Sequence, residues 1–145
     1  MFIVGTACLF LLVATTVVHY EVLRLLTAVL PALRIEPRLR LVFVILGAFV
    51  AHFAEILLYG VAYYVLATRF HVGGMGAPGP LPFSRCLYFS AETYTTLGYG
   101  DVLPFGDLRL LAGLEALNGM LLMGWTASYT YLSMERLWHG RGDAA

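Results

Sequence analysis

Three apolar stretches, each long enough to cross a bilayer, leave this chain few ways to fold. Phe2 to about Leu30, Leu39 to about Thr68 and Asp107 to about Trp138 alternate with proline-marked breaks at Pro31 and Pro37, at Pro78, Pro80 and Pro82, and at Pro104. Proline cannot continue a helix, so these positions punctuate loops. A spanning helix needs about 20 apolar residues, and each stretch supplies them. No formal charge enters the first stretch before Glu21, and Arg24 follows near its end. With 60% hydrophobic residues over 145 positions, the chain reads as an integral membrane protein. It has no lysine and a net charge of zero, which argues against a nucleic-acid partner. Cys8 and Cys86 are too few and too distant for a metal or disulfide framework and read as small apolar residues. No basic region precedes the first stretch and no small-residue cleavage site follows it, so it is expected to stay in the mature chain.

Between the second and third spans, Pro82 to Thr95 is too short to cross and reads as a re-entrant helix. The preceding segment, His71 to Leu81, is rich in glycine and proline and is expected to be a flexible loop. The run Thr93-Tyr94-Thr95-Thr96-Leu97-Gly98-Tyr99-Gly100-Asp101 follows. Gly98 and Gly100 sit two apart, which permits a strand alternating between left- and right-handed residues, with successive carbonyls facing one way.

This run resembles the signature of the potassium channel family, whose commonest form has Val where Leu97 stands. The resemblance covers about residues 39 to 137. It implies an all-α membrane protein with a pore domain (39–138), to which the first apolar stretch adds an N-terminal transmembrane helix (1–32) outside the resemblance. The pore domain comprises an outer helix (39–68), an outer loop (69–82), a pore helix (83–95), a filter (96–101) and an inner helix (107–138). In the filter, the carbonyls of Thr96, Leu97, Gly98 and Tyr99 would replace the water of a potassium ion. The Thr96 hydroxyl would add an innermost ring, and Gly100 would complete the strand. One loop cannot encircle an ion, so a homotetramer is implied. K+ would be the permeant ion, with no cofactor.

The flanking residues extend the match. Glu92 and Asp101 would stand as a carboxyl pair beside the filter, sharing about one negative charge because repulsion raises their apparent pKa. Thr93 and Thr95 flank the filter, Tyr99 would pack behind it, and Tyr88 and Phe89 would form an aromatic pair bracing it through Tyr99. The pore helix would aim its C-terminal carbonyls at the ion path. In the inner helix, Gly119 fits the family's hinge, with Gly124 as the other candidate. Gly113, Gly119 and Gly124 can also be read as close-packing positions. Met120, Met123, Ala127, Tyr131 and Glu135 would then face the cavity, with a constriction near Tyr131.

His52, Glu55 and Glu115 interrupt apolar helix text. An unpaired charge at mid-bilayer costs about 2.5–3.5 kcal/mol, so these groups should be neutral, paired or facing protein. His52 and Glu55 share a helix face and could bond to each other or to helix one. A metal site lacks further ligands in this reading, and a pH-sensitive role through histidine stays open.

Arg24, Arg34, Arg38, Arg40, Arg136 and Arg141 lie toward one side, against Arg69, Arg85 and Arg109 on the other. This bias puts the first loop and C-terminus inside and the N-terminus outside, in a plasma membrane of prokaryotic type. Arg34, Arg38 and Arg40 would meet lipid headgroups. Helix one lacks the repeated arginines of a voltage sensor, and it is expected to pack at the pore's rim and hold the tetramer. With few residues after Trp138, no cytoplasmic ligand-binding domain is expected, and gating would fall to the pore, lipid, pH or a regulatory partner. A poorly selective cation channel is disfavoured by Tyr99, an uptake transporter subunit by the single complete loop, and a non-conducting membrane subunit by the intact run. No hydrolase serine elbow, metal spacing or phosphate loop points to an enzyme.

Overall fold

A computed structural model describes residues 1–32, 35–76 and 80–139, without the side chains of Pro37 and residues 136–139. Arg34, Pro78 and Arg141, and the side chains of Arg136 and Trp138, therefore lie outside the described residues. Four helices dominate: α1 (Phe2–Val29), α2 (Pro37–Thr68), α3 (Phe83–Tyr94) and α4 (Leu108–His139). A 3-10 turn at Leu30–Ala32 closes α1, and Pro37 opens α2 where a missing amide hydrogen costs nothing. α1, α2 and α4 are long and apolar enough to cross a membrane. α3, with twelve residues, is not.

α1 and α4 begin on the same side, where the Met1 amine lies 2.5 Å from Asp107 Oδ2. On the opposite side the Thr27 hydroxyl and Tyr129 hydroxyl are 2.9 Å apart. α1 packs along both α2 and α4 within one chain, so it is a full partner in the bundle. It buries a single stripe, Val4, Cys8, Leu11, Thr15, His19 and Leu23, at the three- and four-residue spacing of one helix face. Val4, Cys8 and Leu11 join Tyr59, Tyr63 and Leu66 of α2, Cys86, Phe89 and Tyr94 of α3, and Leu108 and Leu111 of α4 in one core. Both cysteines are free and buried.

The glycine-rich connection after α2 is more ordered than its composition suggests. Strand β1 (Gly73–Met75) pairs antiparallel with β2 (Pro104–Gly106), in the register Gly73 to Gly106, Gly74 to Phe105 and Met75 to Pro104. The expected flexible loop is thus tied across the segment that leads into α4. Only glycine fits at Gly73, because a Cβ there would lie 2.2 Å from the Phe105 carbonyl oxygen.

Gly119 occupies another close approach, where a Cβ would stand 2.2 Å from the Tyr94 carbonyl oxygen. The C-terminal end of α3 rests on α4 at this point. At Gly113 and Gly124, by contrast, a Cβ would meet no atom within 4 Å. Gly119→Ala should therefore destabilise the fold by about 1–3 kcal/mol, as overpacking against backbone does, while Gly124→Ala should not lower stability. Thermal unfolding of the two variants in detergent, side by side, checks the contrast.

Candidate functional site

The segment that leaves α3 carries an alternating backbone. Thr95 ends the helix in a right-handed conformation, at φ −80° and ψ −3°. Beyond it φ is positive at Thr96 (57°), Gly98 (57°) and Gly100 (78°), and at neither residue between. The glycine positions match the alternation expected from their spacing. Thr96 extends it by one step, at a β-branched residue for which the left-handed region is disfavoured.

The amides along this segment turn back onto α3. Thr96 N–H donates to the Thr93 carbonyl at 3.0 Å, and Leu97 and Gly98 N–H donate to the Glu92 carbonyl at 2.9 and 3.2 Å. The Tyr99 amide faces the Glu92 carboxylate. Since no cis peptide bond occurs among the described residues, each carbonyl points opposite to the amide of the same plane. The Thr96, Leu97 and Gly98 carbonyls are thereby directed away from α3. Their outer face is open: no atom lies within 4 Å of where a Cβ would stand at Gly98 or Gly100. Leu97 is 57% exposed and Tyr99 70% exposed.

Glu92 sits beneath this loop, 4% exposed, and its Oε2 has no hydrogen-bond partner among the described residues. Burial pushes its carboxyl above the usual carboxylate range, and the neighbouring Asp101 pushes it the same way, against the Tyr99 amide. Desolvation is the larger of these two causes. Asp101 also accepts from the Tyr88 hydroxyl, at 3.2 and 3.1 Å to its two oxygens.

Several sequence-derived placements change. Phe89 does not brace the loop: it is buried against Tyr63 of α2, ring centroids 5.2 Å apart and edge to face. Tyr88, one residue earlier, meets Asp101 instead. Tyr99 does not pack behind the loop within its own chain. On α4, Met120, Ala127 and Tyr131 lie on the exposed face, whereas Met123 lines a groove with residues of α2. Glu135 is half-buried.

The buried polar residues draw together more closely than expected. Glu55 accepts from the Tyr94 hydroxyl and lies 3.1 Å from His52 Nδ1, as their spacing suggested. Its other oxygen lies 2.9 Å from Nδ1 of His19 on α1, a residue the sequence reading passed over. The Nε2 atoms of His19 and His52 both approach the Thr126 hydroxyl, at 3.2 and 3.0 Å. Nearby, Glu115 accepts from Tyr63 and Ser90 at 2.5 Å each, and Ser90 also lies 2.8 Å from the Ile56 carbonyl. Asn118 donates to Thr15 and Tyr59, at 2.8 and 3.2 Å. His19 carried a readable signal, since it continues the buried stripe begun by Val4 and Cys8.

A family model described as an ion channel matches residues 41–135. The chain belongs to the ion channel family. The match spans α2, α3, the alternating loop and nearly all of α4, and it leaves α1 outside. The chain is also similar to the inward rectifier potassium channel Kirbac3.1 of Paramagnetospirillum magnetotacticum, with 41% identity over 58 residues. That match covers 39% of this chain and 20% of the relative, so the chain spans only a small part of that protein. No solved structure gives a significant match. This member of the ion channel family is thus a multi-pass membrane protein.

The raised Glu92 pKa makes a signed prediction. Folded Glu92 holds its proton more tightly than the unfolded chain does. Its favourable contribution is therefore complete below about pH 4, near the unfolded carboxyl value, and is lost as pH rises through the raised value. Glu92→Gln stays uncharged and keeps an acceptor for Tyr99. It should be more stable than the parent at neutral pH and equal to it below about pH 4, as paired melting curves across pH will show.

Proposed function

We propose that four copies of this chain bring their 96–101 loops around a common axis and conduct K+ passively and selectively. The observation that carries this reading is the alternating φ at Thr96, Gly98 and Gly100. With the amides folded back onto α3, this alternation leaves a row of carbonyl oxygens on an open face. A dehydrated cation needs a ring of such oxygens, and one chain supplies one quarter of it. Thr96, Leu97, Gly98 and Tyr99 are the proposed K+-coordinating positions. Glu92, Thr93, Thr95, Asp101 and Tyr88 support them. The open face of Leu97 and Tyr99 is then where neighbouring subunits would complete the packing.

On this reading Met120, Ala127 and Tyr131, exposed on α4, face the inner cavity. Gly119 and Gly124 are the candidate bending points. The arginine bias sets the loop outside, with the C-terminus in the cytoplasm.

The deciding experiment is K+ flux through the purified protein in liposomes, with Na+ substitution and Ba2+ block, alongside its oligomeric mass in detergent. Selective, Ba2+-blocked flux from a tetramer is the expected result. Equal Na+ flux would mark a poorly selective cation channel, and a monomer without flux would point to a non-conducting membrane subunit. Gly98→Ala sharpens the test. Space is available for the methyl group, so only the left-handed backbone resists it, by roughly 1–2 kcal/mol in each of four subunits. That variant should insert and assemble but lose selective flux, and unchanged K+ flux would remove the loop from the pathway.

A further inference from the structure

We propose that His19, His52 and Glu55 form a binding site for one borderline divalent metal ion per chain, of the Zn2+ or Co2+ class, joining α1 to α2. Two imidazoles and one carboxylate are a donor set suited to such ions. One ligand atom from each of the three residues lies within 4.8 Å of the others. His19 and Glu55 are fully buried, and His52 is 18% exposed.

The geometry is close to that of a filled site. Both Nδ1 atoms face the Glu55 carboxylate, at 2.9 and 3.1 Å from its oxygens. In a tetrahedral site with bonds of about 2.0–2.1 Å, ligand atoms stand about 3.3 Å apart. Each Nδ1–oxygen distance is within a few tenths of an ångström of that value, and all three ligand atoms lie within 4.8 Å of one another. The Tyr94 hydroxyl, 2.9 Å from His52 Nδ1, stands beside the same centre and can complete the shell.

The contacts on the far side of the rings are compatible with a bound cation. The Thr126 hydroxyl stands 3.2 Å from His19 Nε2 and 3.0 Å from His52 Nε2. With an ion on the two Nδ1 atoms, both Nε2 atoms carry hydrogen and Thr126 accepts from each through its two lone pairs. An outer partner that orients ligating imidazoles in this way is the usual companion of a metal site. A largely apolar groove of about 370 Å³, lined in part by His52, Tyr94 and Thr126, lies beside the cluster. The three ligands lie on α1 and α2, and the inference does not depend on whether the pore conducts.

The test is metal titration of the full-length protein in detergent after chelator stripping. Co2+ is followed by its visible spectrum and Zn2+ by calorimetry. One ion per chain, with the strong absorption of tetrahedral Co2+, is expected. His19→Gln and Glu55→Gln should lose this binding, Thr126→Val should weaken it by about 10–100-fold, and His71→Gln, at an exposed position outside the cluster, should keep it. Absence of the tetrahedral spectrum in the parent protein would overturn the proposal even if a ligand variant failed to fold. Binding that survives both ligand substitutions would overturn it as well.

Discussion

A backbone that stops being helical inside a bilayer must dispose of the amides its helix no longer satisfies, because each unpaired one costs several kcal/mol there. This chain turns the amides of Thr96, Leu97 and Gly98 back onto the carbonyls of Thr93 and Glu92. The peptide plane is rigid, so the bonds that satisfy the amides also decide where the carbonyls point. The positive φ values at Thr96, Gly98 and Gly100 are the backbone settings that this arrangement uses. Loop geometry is therefore inherited from the end of α3, and the rest of the fold matters insofar as it holds that end still.

Hydrophobic packing alone is a weak way to hold it, since lipid tails are as apolar as leucine and give little preference for one depth or rotation over another. Directional bonds do better. Tyr94, the last residue of α3, is fastened at two points: its hydroxyl donates to Glu55, and its carbonyl rests against the bare face of α4 at Gly119. One turn earlier, Ser90 lies within hydrogen-bond distance of both the Ile56 carbonyl and Glu115. Glu55 is in turn set by His19 of α1, and Asn118 of α4 by Thr15 of α1. The ionisable groups that look costly in apolar text are thus joined in buried contacts that couple all four helices, and coupled polar networks of this kind favour a unique arrangement.

The three spans were readable because length, apolarity and proline each mark them independently, and the alternating loop because glycine at 98 and 100 has a specific backbone use. What was not readable depended on contacts distant in sequence. The β1 and β2 pair consists of three-residue strands too short to show a period, matched across some thirty positions. Phe89 was assigned with Tyr88 to one task, yet adjacent helical residues point about 100° apart, and the structure sends one toward Asp101 and the other toward Tyr63. Met123 failed for a related reason, since the helical face that holds Met120, Ala127 and Tyr131 turns it to the edge. His19 was overlooked because a neutral histidine does not interrupt a count of formal charges. Its importance lies in the stripe it shares with Cys8, Leu11 and Thr15.

The two candidate bending points of α4 differ in physical meaning. At Gly119 the missing side chain is already used, because the Tyr94 carbonyl fills its place. A bend there would move the end of α3 and so could not leave the loop untouched. At Gly124 there is no neighbour to disturb. Just beyond it, however, Thr126 contacts His19 and His52, and Tyr129 contacts Thr27. Movement of the second half of α4 away from the bundle must break those bonds, two of which reach α1. A helix outside the family's matched region thus stands in the way of the motion by which α4 would open. A change in the grip of α1 at Thr27 acts on α4 alone, whereas a change at the His19 cluster reaches both α4, through Thr126, and the end of α3, through Glu55 and Tyr94.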